Sequence, residues 1–484
     1  MKEKLRSHWL ILVLLALAQF MVVLDVSIVN VMLPTVQRAF HLTVTDLQWI
    51  ITAYTLTFGG FLLLGGRAAD LFGRRRVFLI GVSVFILASL ADGLSQSGSM
   101  LIVLRAIQGL AAAFMSPAAL SIVLVTYKEG HERNLALSVW GAVAAGGAAV
   151  GVLLGGIITQ YLGWRWNFFI NVPIGIIVLI GAYNLVKKHE SEEEHTDLDL
   201  PGAVSVTGAL MLLVYGLVEA PSHGWTSHSS LIYFISSALL LIFFIWNENR
   251  SKHPLIPLSI FKVRNISGAN LIQLMIAAGL FSVFFFTSLY VQEILGYSPV
   301  RSGFSFLIIP MVIAVTATLA PRVIQKIGFK PILIVAPLFV GAGLFMLSFI
   351  PVHGSYFTNI MPGLIVMAFG LGFTFVSILV AATSGVPGHL SGLASGLVNT
   401  SQQVGGSLGL AVLSGIAASS ATRYITNAHS VTPSTVVAGT VHGYKTAFVI
   451  AVVFTLIASL LAIFVIKQQG KTSSEDIAAA ITSA

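Results

Sequence analysis

The residue most at odds with its neighbours is Asp25. It stands in Leu24-Asp25-Val26-Ser27-Ile28-Val29-Asn30-Val31-Met32-Leu33-Pro34, within an apolar run from about Trp9 to Leu33. A carboxylate at the centre of a bilayer costs about 2.5–3.5 kcal/mol on insertion scales, so a chain that keeps one there uses it. Desolvation and nearby charge together let such a group take up and release a proton. Arg105, in Arg105-Ala106-Ile107-Gln108-Gly109, is the natural partner. It follows Ser99, at the expected outer end of a fourth helix, and Asp25 precedes Pro34, at the outer end of the first. At about 1.5 Å per residue the two depths agree within roughly one helical turn. The pair reads as a proton-coupling site, and the structural alternative is a staple between two helices. Asp25 is the one acidic residue expected well inside the hydrocarbon, with Asp92, Glu219 and Glu293 near outer helix ends.

A second constellation is Gly66-Arg67-Ala68-Ala69-Asp70-Leu71-Phe72-Gly73-Arg74-Arg75-Arg76, expected as a loop. Gly73 permits a tight turn, and the arginines suit lipid phosphates. A carboxylate at Asp70 can cap a helix N-terminus, for which the helix starting near Ser391-Gly392 is one candidate, and so hold a gate shut. Arg67, Asp70, Gly73 and Arg74 are the candidate gate residues. Gly147, Gly151 and Gly155, at intervals of four and followed by Gly156, line a helix face that lets another backbone approach. Static packing and a sliding interface explain them equally well, and Gly405 and Gly409 repeat the pattern. Tyr54, Met115, Trp140, Phe281, Phe285, Asn399 and Gln403 are candidate contacts for an apolar ligand. Aromatic residues such as Phe281, Phe284, Phe285 and Tyr290 serve lipid contact or packing just as readily in a membrane helix.

Other signals fail. Gly470-Lys471-Thr472 ends like a phosphate loop, but Val465 stands where its first glycine belongs. His131-Glu132 lacks the second histidine of a zinc helix. Asp197 and Asp199 do not open a calcium loop, because Pro201 and Gly208 occupy later ligand positions. With no cysteine there is no disulfide or thiol chemistry. No metal, cofactor or enzymatic constellation is left.

The elements that position these residues follow from composition. Of 484 residues 56% are hydrophobic and only 9% charged, which excludes a single water-soluble core. About 20 apolar residues cross a bilayer. Such runs are expected at 9–33, 47–66, 77–95, 100–126, 134–160 and 167–186, then 201–219 and 229–247. The last set is 266–291, 302–321, 331–350, 357–382, 393–419 and 444–466. The first run is too long for a cleaved signal and is expected to remain as a helix. Fourteen spans place both termini on one side. Of the 26 Lys and Arg residues, the opposite side holds Arg38, Arg165, Arg301, Arg423 and Lys445, Arg105 is intramembrane, and the other twenty lie on the terminal side. The positive-inside rule makes that side cytoplasmic. The balance of +8 has this origin and implies no nucleic-acid partner.

The segment from Lys187 to Pro201, with Glu190, Glu192, Glu193 and Glu194, is the sharpest break in composition and reads as a solvated connector. Gly66–Arg76 recurs weakly as Pro321–Pro331, so the chain divides into two six-helix bundles and an inserted pair. The expected domains are 1–190, 191–262 and 263–484.

The Gly66–Arg76 stretch, Arg105–Gly109, the glycine helix and Asp25 with Pro34 together resemble the major facilitator superfamily. The inserted pair, Trp164-Arg165-Trp166-Asn167-Phe168-Phe169-Ile170-Asn171-Val172-Pro173, and Asn399 to Gly409 are similar to its fourteen-helix drug:proton antiporter branch. The resemblance implies an all-α integral membrane protein of the major facilitator fold that exports small hydrophobic or monocationic compounds against proton influx. It implies coupling by Asp25 and Arg105, gating by Asp70, protons, a lipophilic substrate and membrane lipids as partners, and a monomer in the cytoplasmic membrane of a bacterium. One departure stands out: Val152 follows Gly151 where the branch's motif has proline. An exporter of an endogenous metabolite, siderophore or lipid, or a membrane sensor that transports nothing, are the alternatives.

Overall fold

The computed structural model describes residues 2–127, 130–187, 198–224, 226–384, 386, 390–428 and 430–468. Fourteen helices in it are long and apolar enough to cross a membrane, and no strand occurs among the described residues. In hydrocarbon each backbone N–H and C=O must be satisfied within the segment, and the helix does this locally. The spans are α1 Lys2–Phe40, α2 Val44–Phe72, α3 Arg74–Gly93, α4 Gly98–Thr126, α5 His131–Tyr161 and α6 Trp166–Leu185. The pair α7 Leu200–His223 and α8 His228–Arg250 follows. Then come α9 Arg264–Ile294, α10 Pro299–Ile327, α11 Phe329–Leu347, α12 Tyr356–Thr383, α13 Ser391–Thr426 and α14 Pro433–Phe464.

The expected spans recur in order, but several helices outrun them. α14 begins at Pro433 and not at 444, because Thr432 caps it and proline suits a first helical turn. Hydropathy sees the hydrocarbon part of a helix, whereas its polar ends continue into the interface.

The Gly66–Arg76 stretch is not a loop. α2 continues through Phe72, α3 starts at Arg74, and Gly73 alone divides them with φ +91°. Nothing between Arg67 and Phe72 breaks a helix, so the turn falls on the residue that tolerates positive φ. Gly328 repeats the device between α10 and α11 with φ +82°. Two other interruptions have a proline cause. α6 breaks at Ile170, where Pro173 offers no N–H to the Phe169 carbonyl, and α10 breaks at Leu307, where Pro310 offers none to Phe306.

The helices pack as two compact units. The first is Met1–Thr207 with Tyr297–Leu307. In it α2 packs on α4, α3 on α4, α1 on α5 and α6, and the first turns of α10 on α5. Glycines allow the closest approaches: a Cβ at Gly65 would lie 2.1 Å from the Ala113 carbonyl oxygen, and one at Gly109 2.3 Å from that of Tyr54. The second unit is Gly208–Gly296 with Ile308–Ala484. There α11 packs on α12 and α14, and α9 on α13 and α14. In the inserted pair Ser237 Oγ donates to the Ala209 carbonyl at 2.7 Å, and the Tyr215 and Tyr233 rings meet edge to face. The acidic connector, residues 188–197, and Gly470-Lys471-Thr472 lie outside the described residues. Asp199 accepts from the Gly202 N–H at 2.8 Å, as a cap at the start of α7.

Candidate functional site

The first unit encloses a polar cluster in an otherwise apolar bundle. Asp25 is fully buried and Arg105 is 1% exposed. Arg105 Nη1 meets Asp25 Oδ2 at 2.5 Å, so the two residues expected to share a depth are an ion pair. Arg105 also donates from Nε to the Ile50 carbonyl at 3.1 Å and from Nη1 to Gln108 Oε1. The guanidinium lies over the Tyr54 ring, 4.2 Å from its centroid, and within 5.8 Å of Phe168. A buried ion pair offsets its desolvation only when the remaining hydrogen-bonding capacity is met. Here Nε and Nη1 of Arg105 and both oxygens of Asp25 have partners.

The carboxylate has two further donors. Gln108 Nε2 reaches Asp25 Oδ1 at 2.9 Å, and Asn171 Nδ2 reaches the same oxygen at 3.2 Å. Both amides also donate to Ser89 Oγ, at 2.7 and 3.4 Å. Three helices, α1, α4 and α6, thus meet at one carboxylate, and Ser89 of α3 ties its two amide donors together. Asn171 is placed by the break at Ile170, which starts a fresh helical turn beside Asp25. The Trp164–Pro173 stretch secures its own position: Asn167 Nδ2 donates to Thr159 Oγ1 at 2.6 Å, and Arg165 Nη2 to the Ser95 carbonyl at 3.0 Å.

Four members of this cluster are not singled out by the sequence. Gln108 and Asn171 stand there only as parts of longer stretches, and Ser89 carries no signal beyond its position. Asp92 does lie at a helix end, as expected, but it is also fully buried, and neither carboxylate oxygen has a hydrogen-bond partner. Its spacing of three from Ser89, which puts both on one face of α3, is the available clue.

The other candidates are placed as follows. Asp70 pairs with Arg74 one turn later, at 3.2 Å, with both side chains partly exposed. Arg75 donates to the Tyr183 carbonyl and covers that ring at 5.1 Å. Cβ atoms built on Gly147, Gly151 and Gly155 would face Val23, Ser27 and Ile28 of α1 at 3.3, 2.7 and 2.8 Å. Gly156 points elsewhere: its Cβ would lie 2.5 Å from the Pro299 carbonyl oxygen at the start of α10. α5 runs unbroken through buried Val152, whose carbonyl would lie 2.5 Å from a Cβ at Gly303. Of the ligand-contact candidates, Tyr54 is buried against Arg105 and Met115 in the apolar core of the same unit. Trp140 packs at the edge of that core. In the second unit Phe281 lies against Gly406, Phe285 is fully buried edge to face with Phe286, Asn399 is half-buried, and Gln403 is 8% exposed with its Oε1 unpartnered.

A buried, ion-paired carboxylate held by three amide or guanidinium donors is chemically able to exchange a proton once its ion pair opens. The chain is 39% identical to the puromycin resistance protein pur8 of Streptomyces alboniger, over 99% of this chain and 95% of that protein. It is 38% identical to the cephamycin export protein CmcT of Amycolatopsis lactamdurans, over 83% of each. Among solved structures, a bacterial homologue of the human lysosomal transporter Spinster, inward-facing, superposes with a TM-score of 0.67 over 95% of this chain and 97% of that one, at 14% identity. The model of the Major Facilitator Superfamily matches residues 15–410. With fourteen spans and these relatives, the chain belongs to the major facilitator superfamily.

Proposed function

We propose that this protein is an antiporter that exports small hydrophobic or monocationic compounds, antibiotics among them, by alternating access driven by proton influx. The observation that carries the reading is the buried Asp25–Arg105 pair, with Gln108 and Asn171 completing the carboxylate's shell. The printed names of the relatives, a resistance protein and an export protein, point to efflux. Asp25 takes a proton from outside as substrate leaves, and gives it to the cytoplasm after the site turns inward. The two six-helix halves, 1–190 and 263–484, rock about the site, with 191–262 as an accessory pair. Arg67, Asp70, Gly73 and Arg74 form the cytoplasmic gate, and the Asp70–Arg74 pair is the contact that exchanges as the gate moves. The protein works as a monomer in the cytoplasmic membrane, with both termini inside.

With one proton held at the site at a time, each cycle moves one proton. At about 200 mV that proton brings about 4.6 kcal/mol. A neutral substrate then reaches at most about a thousandfold gradient, at about 1.4 kcal/mol per decade. The test is reconstitution in liposomes containing a pH-sensitive dye, with ethidium and other lipophilic compounds added. Substrate-dependent proton movement that vanishes in Asp25→Asn, while substrate counterflow persists, supports the assignment. Export driven by a pH gradient at an unchanged rate in Asp25→Asn overturns it.

A further inference from the structure

The cluster around Arg105 holds more acid than its pairing with Asp25 uses. Asp92 is the penultimate residue of α3, yet it is fully buried, and neither of its oxygens has a hydrogen-bond partner. One turn before it, Ser89 accepts from Gln108 and Asn171, the two amides that also hold Asp25. The charged groups that act on Asp92 are Arg105 from α4 and Asp25 from α1. Tyr54 from α2 joins them through its contact with Arg105. From α6 come Phe169, against Gly93, and Asn171, neither of which titrates. Arg165, just before α6, is engaged with the Ser95 carbonyl.

The cluster therefore sets one guanidinium against two carboxyl groups. Ionising both would leave a net negative charge sealed from water, which is costly. Asp25 has the donors that a carboxylate needs, from Arg105, Gln108 and Asn171. Asp92 has none. The charge belongs on Asp25 and the proton on Asp92.

We propose that Asp92 is a second proton-carrying carboxyl of the coupling site, which trades the Arg105 counter-ion with Asp25. The proposal rests on the proton-coupling reading above. In one state Asp25 is ionised against Arg105 and Asp92 holds the proton. In the other the proton has passed to Asp25, and Arg105 turns to the ionised Asp92. Both states hold one proton and no net charge, so Arg105 is never left as an uncompensated buried cation. Release from Asp25 to the cytoplasm and reloading of Asp92 from outside restore the first state, with one proton moved inward per cycle.

Infrared difference spectroscopy of the purified protein in liposomes at neutral pH tests this without any substrate, by reading the carbonyl stretch of a buried protonated carboxyl. The expected result is a band in the wild type that Asp92→Asn removes and that Asp92→Glu moves in frequency. The decisive variant is Asp25→Asn, in which Arg105 turns to Asp92, Asp92 ionises and the same band disappears. A band that persists in Asp25→Asn overturns the exchange and leaves Asp92 a permanently neutral structural acid. A wild-type spectrum unchanged by Asp92→Asn overturns the assignment of the proton to Asp92. Should Asp92→Asn fail to fold, Asp92→Glu and Asp25→Asn supply both readings. Failure of the proton-coupling reading itself shows separately, as pH-driven export that survives Asp25→Asn.

Discussion

At the scale of single residues, Arg105 shows why charge alone does not define this site. Its guanidinium contacts Asp25, Gln108 and the Ile50 carbonyl at once while lying over Tyr54. Lysine keeps the charge but loses the planar fork that meets these acceptors together. Arg105→Lys is expected to lower pH-driven export about tenfold or more, since one charge-assisted hydrogen bond is worth about 1.5–3 kcal/mol. Counterflow, which needs no net proton movement, is expected to fall far less. Comparing the two rates in the same liposomes checks this, and an equal loss in both would assign Arg105 to folding. Asn171→Ala removes one of three donors to Asp25 and leaves Ser89 with Gln108 alone. It is expected to destabilise the protein by about 1 kcal/mol, read from thermal unfolding in detergent, and to slow export less than Asp25→Asn does. Asp25 and Arg105 are legible from their types, because an ionisable residue in an apolar run is conspicuous. Asn171, Gln108 and Ser89 are not, because uncharged polar residues are common in membrane helices and only their direction brings them to the Asp25 cluster.

At the scale of elements, the four glycines of α5 do two different things. Three face α1 and the fourth faces the start of α10. The distances to a built Cβ rank the cost of adding one. Gly147→Ala, at 3.3 Å from side-chain atoms, is expected to be tolerated, and Gly151→Ala and Gly155→Ala to cost about 1–3 kcal/mol as overpacking. Gly156→Ala meets the Pro299 backbone at 2.5 Å and is expected to be the most damaging of the four. Melting temperatures of the four variants check the order, and a Gly147→Ala as damaging as Gly156→Ala would refute it. The spacing shows that a helix face is small, but not that Gly156 turns toward a segment of α10. The same scale explains Gly73 and Gly328: a residue with φ of +91° or +82° ends one helix and begins the next without a loop. Gly73→Ala adds a Cβ in that conformation and is expected to cost about 1–2 kcal/mol, read in the same melts.

At the scale of the whole molecule, the proposed sidedness rests on the distribution of charge. On the spans expected from the sequence, twenty Lys and Arg residues fall on the side proposed to be cytoplasmic and five on the other. Because the chain has no cysteine, single introduced thiols report this directly. In intact cells, Ser99→Cys is expected to react with a membrane-impermeant thiol reagent, and Lys252→Cys only after the cells are opened. Both positions are exposed in the structure. The reverse pattern would invert the proposed direction of transport.

The fourteen spans, their order and the Asp25–Arg105 partnership are readable from the chain alone. Each depends on quantities that are local along the sequence: how apolar twenty residues are, and how deep a residue sits from the nearest polar end. What the tertiary structure decides is how each helix is rotated about its axis. Membrane helices that are apolar nearly all round carry little signal for rotation, unlike the amphipathic helices of soluble proteins. Rotation brings Asn171 to an aspartate 146 residues earlier and turns Tyr54 onto Arg105. It also buries Asp92 one turn from Ser89, whose two amide donors hold Asp25. The proline-driven breaks and the two positive-φ glycines set these directions, and their effect on distant neighbours exists only once the bundle has assembled.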